Sequence, residues 1–227
     1  MVKKIKQHRR ETYEQIILAN DLVDAVKVND KNAVIDMLRN GVGINKRDLS
    51  GDTAIHASAG TGNVEMLKFL NNLGGDLNIA DENGFTPLHG AIINGKLEAV
   101  KYLLDKKADI KLVDNKGYNH LHIAVLSGNL NMVKALIFAG ANVLINNKNK
   151  NNLTPVDLAI LIKENDIVEF FKQQGAKPSL SEEELEKLLL AGKYLEDNET
   201  IEVPAGGFAK IIAKYGDRIA GIDKIKR

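Results

Sequence analysis

Three histidines, His56, His89 and His122, stand at steps of 33 residues, and a regular imidazole set is the first pattern in this chain that could bind a metal or move a proton. A zinc site needs its nitrogens about 2 Å from a single ion. Histidines on separate copies of a repeated unit are held roughly 8–10 Å apart, the spacing of packed helices, so the three cannot share a metal. The carboxylates Asp76, Asp81, Asp109 and Asp114 recur in the same register and read as turn formers. A catalytic acid pair would need two carboxyls facing each other across about 5–9.5 Å. Gly60-Thr61-Gly62 lacks the Gly-Lys-Ser/Thr of a phosphate loop. With no cysteine, thiol nucleophiles, thiolate metal sites and disulfides are excluded. The reading therefore assigns no catalytic residue, no cofactor and no metal.

The elements that must carry these histidines repeat with them. Gly51-Asp52-Thr53-Ala54-Ile55-His56 returns as Gly84-Phe85-Thr86-Pro87-Leu88-His89 and as Gly117-Tyr118-Asn119-His120-Leu121-His122. Six residues after each histidine comes a glycine (Gly62, Gly95, Gly128), then a segment whose apolar residues recur at helical spacing, as in Val64, Met66, Leu67 and Leu70. Each unit closes on a turn-rich stretch such as Gly74-Gly75-Asp76-Leu77-Asn78. The pattern predicts two short helices and an extended finger per unit.

The period, the Thr-Pro-Leu-His motif and the closing Gly-Ala-Asp-Val-Asn-like stretch resemble the ankyrin-repeat family. That resemblance implies an all-α ankyrin-repeat solenoid, helix-turn-helix plus a β-hairpin-like finger per repeat, with a C-terminal helical extension. Residues 1–16 form a basic lead-in, and 17–178 the array: an N-terminal cap over 17–48, repeats over 49–81, 82–114 and 115–150, and a C-terminal repeat over 151–178. Residues 179–227 are the extension. The cap segment has no Thr-Pro-Leu-His motif but an apolar stripe of Leu22, Ala25, Val26, Val34, Met37 and Leu38, as an end repeat with a single neighbour requires. The resemblance also makes His56, His89 and His122 fasteners within and between repeats. In the last repeat Asp157 stands where the others have histidine.

Two departures from the pattern are informative. The step from His122 to Asp157 is 35 rather than 33 residues, and the connection Leu144-Ile145-Asn146-Asn147-Lys148-Asn149-Lys150-Asn151-Asn152 reads as a longer, mobile, solvated loop. Ala54 replaces the proline of the second unit, and Asn119-His120 replaces Thr-Pro in the fourth. Both units forgo a residue that pre-sets or caps the first helical turn.

A hydrophobic content of 44% and a formal charge of +1 describe an ordinary globular chain. The basic start, Lys3, Lys4, Lys6, Arg9 and Arg10, is followed by Glu11-Thr12-Tyr13-Glu14 rather than an apolar run, so neither a secretory signal nor a membrane span is expected. After Pro178, Ser181 and Glu184 form a capping box with a staple between Leu180 and Leu185. Phe208, Ile211, Ile212, Tyr215, Ile219 and Ile222, interleaved with Lys210, Lys214 and Arg218, make an amphipathic basic pattern. It could lie on a membrane, enter a partner's groove, or dock on the last repeat.

By register with the family, recognition falls to finger tips and inner helices, here Leu49, Asp52, Glu82, Phe85, Ile93, Asn94, Asn115, Tyr118 and Leu126. Phe85 and Tyr118 occupy equivalent positions, as do Ile93 and Leu126, and the strip they form either anchors a partner or packs internally. The resulting expectation is a cytoplasmic, monomeric, non-catalytic scaffold or adaptor that binds another protein through its concave finger-side face and takes no small-molecule substrate. An inhibitor, a secreted bacterial effector aimed at a host protein, and association with nucleic acid or membrane through the basic termini are the competing readings.

Overall fold

A computed structural model describes residues 17–181, 183–185 and 187. The lead-in 1–16 and the amphipathic pattern from Phe208 to Ile222 lie outside the described residues. Within them the structure is all-α, and extended pairing is limited to an isolated bridge between Val113 and Asn119. The helices are α1 over 17–27, α2 (Lys31–Arg39), α3 (Ala54–Thr61), α4 (Val64–Asn72), α5 (Pro87–Ile93), α6 (Leu97–Asp105), α7 (His120–Leu126), α8 (Leu130–Phe138), α9 (Pro155–Leu161) and α10 (Asn165–Gln173). They fall into two compact units, one ending at Ala108 and the other beginning at Asp109.

In the first unit α3 packs on α4 and α5, and α6 packs on both α5 and α4. The apolar stripes meet at Ile55, Leu67, Leu70, Leu88, Ile92 and Leu103, all buried. Short polar side chains start α2 and α4: Asp30 and Asn63 accept hydrogen bonds from the Ala33 and Met66 amides, each at 3.0 Å, satisfying donors that have no partner inside the helix. The α1–α2 pair closes the beginning of the unit. Leu22, Ala25, Val26 and Val34 of the expected stripe are buried, whereas Met37 and Leu38 are half-buried. Polar side chains tie this pair to the neighbouring repeat: Asn20 accepts from the Leu49 amide at 2.9 Å, and the Asn63 side-chain amide donates to Asn29 at 2.6 Å.

The second unit repeats the scheme, with α7 on α8 and α9, and α10 on α9 and α8. Here the asparagine-rich connection is exposed at Asn146, Asn147, Lys148, Lys150 and Asn152, as expected of a solvated run, and departs from that expectation at the buried Asn149. Its extra length is taken up by a short 3-10 turn at Ala141–Leu144 that packs on α7 and α8. The chain then rejoins the pattern at Asn149, which is buried. Solvated character is a property of the residue types; the backbone bonds available to Asn149 override it.

Beyond α10 the chain folds back. Leu180 and Leu185 pack on Leu153, Ile160 and Leu161, and Ser181 and Glu184 form the expected capping box, with Ser181 N–H and Oγ 2.8 and 2.9 Å from Glu184 Oε2. The beginning of the extension thus docks on the last repeat.

One glycine shows how tightly the inner layer is filled. Gly75 stands where later repeats have Ala108, Ala141 and Ala176. A methyl there would lie 2.6 Å from Ile55 Cδ1 and 2.7 Å from its Cγ1, and Ile55 stands where the next two repeats have Leu88 and Leu121. The φ of Gly75 is not positive, so alanine would otherwise stabilise by about 0.4–1 kcal/mol. Instead, Gly75→Ala is expected to destabilise the first unit by about 1–3 kcal/mol through overpacking. The double variant Ile55→Leu with Gly75→Ala should recover most of that loss. Urea unfolding of the single and double variants checks both.

Candidate functional site

Each finger is built on one side chain. Asp48 Oδ1 accepts from the amides of Ser50 and Asp52 at 2.8 and 2.9 Å. Asp81 does the same for Asn83 and Phe85, both at 2.8 Å, and Asp114 for Lys116 and Tyr118 at 2.9 and 2.7 Å. In the fourth finger Asn149 takes over, accepting from Asn151 and Leu153 at 2.9 and 3.0 Å. The tip residue before the last of these amides has positive φ in every case: Gly51, Gly84, Gly117 and Asn152. Glycine reaches that region without strain, and asparagine is among the few others that tolerate it. Asp76 and Asp109 likewise accept from the Asn78 and Lys111 amides at 2.8 and 2.9 Å, so all four carboxylates read as turn formers act as such, and burial raises the pKa of Asp114.

The histidines sit at the third position of the inner helices, and two of them, His56 and His122, bond in two directions. Nδ1 of His56, His89 and His122 accepts from the N–H of Thr53, Thr86 and Asn119 at 3.2, 3.1 and 3.2 Å. That nitrogen must be unprotonated, so Nε2 carries the hydrogen. From Nε2, His56 donates to the Phe85 carbonyl at 3.0 Å and His122 to the Leu153 carbonyl at 2.9 Å, each in the following finger. Asn119 replaces threonine without loss, because its Oδ1 accepts from the Leu121 and His122 amides at 3.0 and 3.1 Å.

In the last repeat the second bond changes polarity. Asp157 Oδ2 accepts from Thr154 N–H at 2.9 Å and its Oγ at 2.7 Å, as the imidazoles accept. Where a histidine would then donate to a carbonyl, Asp157 instead accepts from Ser179 N–H at 2.8 Å and Ser179 Oγ at 2.6 Å.

His120, in the proline position, has the opposite tautomer from His122. Its Nδ1 lies 2.8 Å from the Ile110 carbonyl and must donate to it. Burial pushes the pKa of both histidines down to about 4, against these hydrogen bonds and the nearby carboxylates Asp109 and Asp157, which act upward. Among the described residues no group of three or more histidines or carboxylates is placed to hold a metal ion.

The residues expected at the recognition surface separate by unit. In the first, Leu49 is 69% exposed, Glu82 is exposed, and Asp52, Phe85, Ile93 and Asn94 are half-buried. In the second, Asn115 is exposed, but Tyr118 is 1% and Leu126 0% exposed. Of the two readings of the strip, Tyr118 and Leu126 follow internal packing, and as candidate partner contacts they are corrected to core residues. The Tyr118 ring stands edge-on to His122, centroids 5.6 Å apart, and Leu126 closes the last turn of the wholly buried α7. Phe85 meets His89 in the same way at 5.5 Å but keeps part of its surface. Asp52 takes the ring's place in its repeat, where burial raises its pKa and His56 opposes the shift.

From sequence, Gly60 is weighed only as part of a phosphate loop and Gly90 is passed over, yet both lie inside inner helices beside open space. A methyl added at Gly90 would have nothing within 4 Å, and one at Gly60 would meet only the Asn94 side chain, at 3.6 Å. The second unit fills the same registers with Ile123 and Leu126, and with Leu158 and Leu161, all buried. A register comparison would have found the signal, since a glycine inside a helix costs about 1 kcal/mol relative to alanine.

The chain matches the family model for ankyrin repeats (3 copies) over residues 22–114 and 108–182. Such repeats are generally protein–protein interaction modules. No curated protein matches the chain. Among the described residues no helix is long and apolar enough to cross a membrane.

Acid should weaken the second unit first. A histidine with an ordinary pKa of 6.5 in the unfolded chain and about 4 in the fold leaves the unfolded state holding more protons between those values. Its contribution is complete above pH 6.5 and is lost as pH falls toward 4. By pH 5 each of the two should cost on the order of 2 kcal/mol. Asp114 opposes this, since its raised pKa favours the fold on protonation. Asn119 already has the extended backbone that precedes proline, and His120 is the first residue of α7. His120→Pro should therefore fold, and its drop in melting temperature between pH 7.5 and 5 should be roughly half that of the parent.

Proposed function

Since the chain belongs to the ankyrin-repeat family, whose members are typically non-catalytic binding scaffolds, we propose that it is a scaffold or adaptor that captures another protein through the finger-side face of its first unit. The observation that carries this reading is the pair of inner-helix glycines. Gly60 and Gly90 leave open, beside Asn94, the registers that the second unit closes with large buried side chains.

The same unit carries residues with recognition chemistry. Residues three or four apart share a helix face, which puts Ile93 and Asn94 with Gly90; the Asn94 side chain donates to the Gly90 carbonyl at 2.9 Å. The fingers add Leu49, largely exposed, and Glu82, exposed, with Phe85 and Asp52 half-buried behind them. Interfaces are carried by a few apolar anchors ringed by polar groups, and this face offers both. Asn115, exposed in the second unit, is a separate candidate there. The imidazoles and finger carboxylates are already committed to backbone groups, which leaves them to hold the face rather than to react.

The test fills the opening. Gly90→Arg adds a side chain where a Cβ meets nothing, so the melting temperature should hold or rise. Partners retained by the immobilised parent protein should be lost from Gly90→Arg and weakened at least tenfold by Leu49→Asp. Retention of every such partner by both folded variants would remove the first-unit face from consideration.

A further inference from the structure

The polarity change at Asp157 has a structural counterpart in the segment it holds. In two of the earlier repeats the imidazole Nε2–H reaches a carbonyl in the following finger, His56 to Phe85 and His122 to Leu153. No further finger follows Asp157 in the sequence pattern. Its carboxylate instead receives two donors from one residue, Ser179 N–H and Ser179 Oγ. We propose that the segment from Ser179 to Leu185 is a detachable strap that closes the last repeat, and that Asp157 is the positioning residue that selects a strap over a further repeat.

Three observations support separability. The strap has its own helix start, the Ser181–Glu184 box, and the Leu185 amide donates to the Ser181 carbonyl at 3.0 Å. It rests on the repeat through a small apolar cluster, Leu180 and Leu185 on Leu153, Ile160 and Leu161. Its polar attachment is concentrated at Ser179, and Ser179, Ser181, Glu183 and Glu184 are otherwise exposed. A segment with few buried contacts and one concentrated attachment opens more readily than the helices beneath it.

Asp157 serves two structures, and substitution can divide them. In Asp157→His the imidazole Nδ1 can still take the Thr154 N–H, as in the other three repeats, so α9 keeps its cap. Its Nε2–H then faces the Ser179 N–H, donor against donor, and the strap should release. Ser179→Pro reaches the same end from the other side, removing both donors and leaving the Asp157–Thr154 bonds intact.

Hydrogen exchange of the full chain, followed by mass spectrometry, provides the test. Peptides covering 179–187 should exchange on the order of tenfold faster or more in both variants, while peptides from α7 to α10 keep parental rates. If Asp157→His does not fold, Ser179→Pro decides alone. Parental exchange across 179–187 in the folded variants would overturn the proposal. So would equal acceleration of α9 and α10, since the segment would then be part of the repeat's core rather than a strap on it.

Discussion

The side chain at the third position of each inner helix must accept a hydrogen bond from the residue that starts its own helix, and all other features of the repeat are arranged around that bond. Nitrogen or oxygen serves equally: His56, His89, His122 and Asp157 all do it. For an imidazole the acceptance at Nδ1 dictates the tautomer, and the tautomer makes Nε2 a donor. For His56 and His122, helix capping and the link to the next finger are thereby consequences of the same proton position. It also explains why burial is tolerated. Each ring nitrogen of His56 and His122 has a partner, so the neutral ring carries no unsatisfied polar atom, whereas the charged ring would lose an acceptor in a site with little solvation.

The fingers solve a second backbone problem with equal economy. One oxygen on Asp48, Asp81, Asp114 or Asn149 takes two amides that an open hairpin would leave to water. A carboxylate is not required for this, only an oxygen at that reach, and hence Asn149 can substitute in the finger with the longest approach. Because turn and cap are both satisfied locally, the inner-helix positions between them are released from backbone duty and are free to vary.

That freedom is used differently in the two units. The second fills those positions with Ile123, Leu126, Leu158 and Leu161 and closes itself. The first places Gly60 and Gly90 there, accepting the helix cost of glycine and leaving surface uncovered.

Much of this was determined by the order of residues alone. The period, the helix pairs and the Ser181–Glu184 box derive from local spacing, because helix starts and turns are made between residues two to four apart, and the resemblance to the family supplied the histidines' role as fasteners. What the sequence could not decide was which side chains remain open. Phe85 and Tyr118 are equivalent by register, yet one keeps part of its surface and the other is buried; Asn149 looks like solvated loop and is a buried turn residue. Exposure depends on neighbours dozens of residues away, such as the Leu180–Leu185 strap on Leu153, and no local pattern encodes that proximity. Only the tertiary structure, by bringing distant segments into van der Waals contact, determined which of the equivalent positions could still meet another molecule.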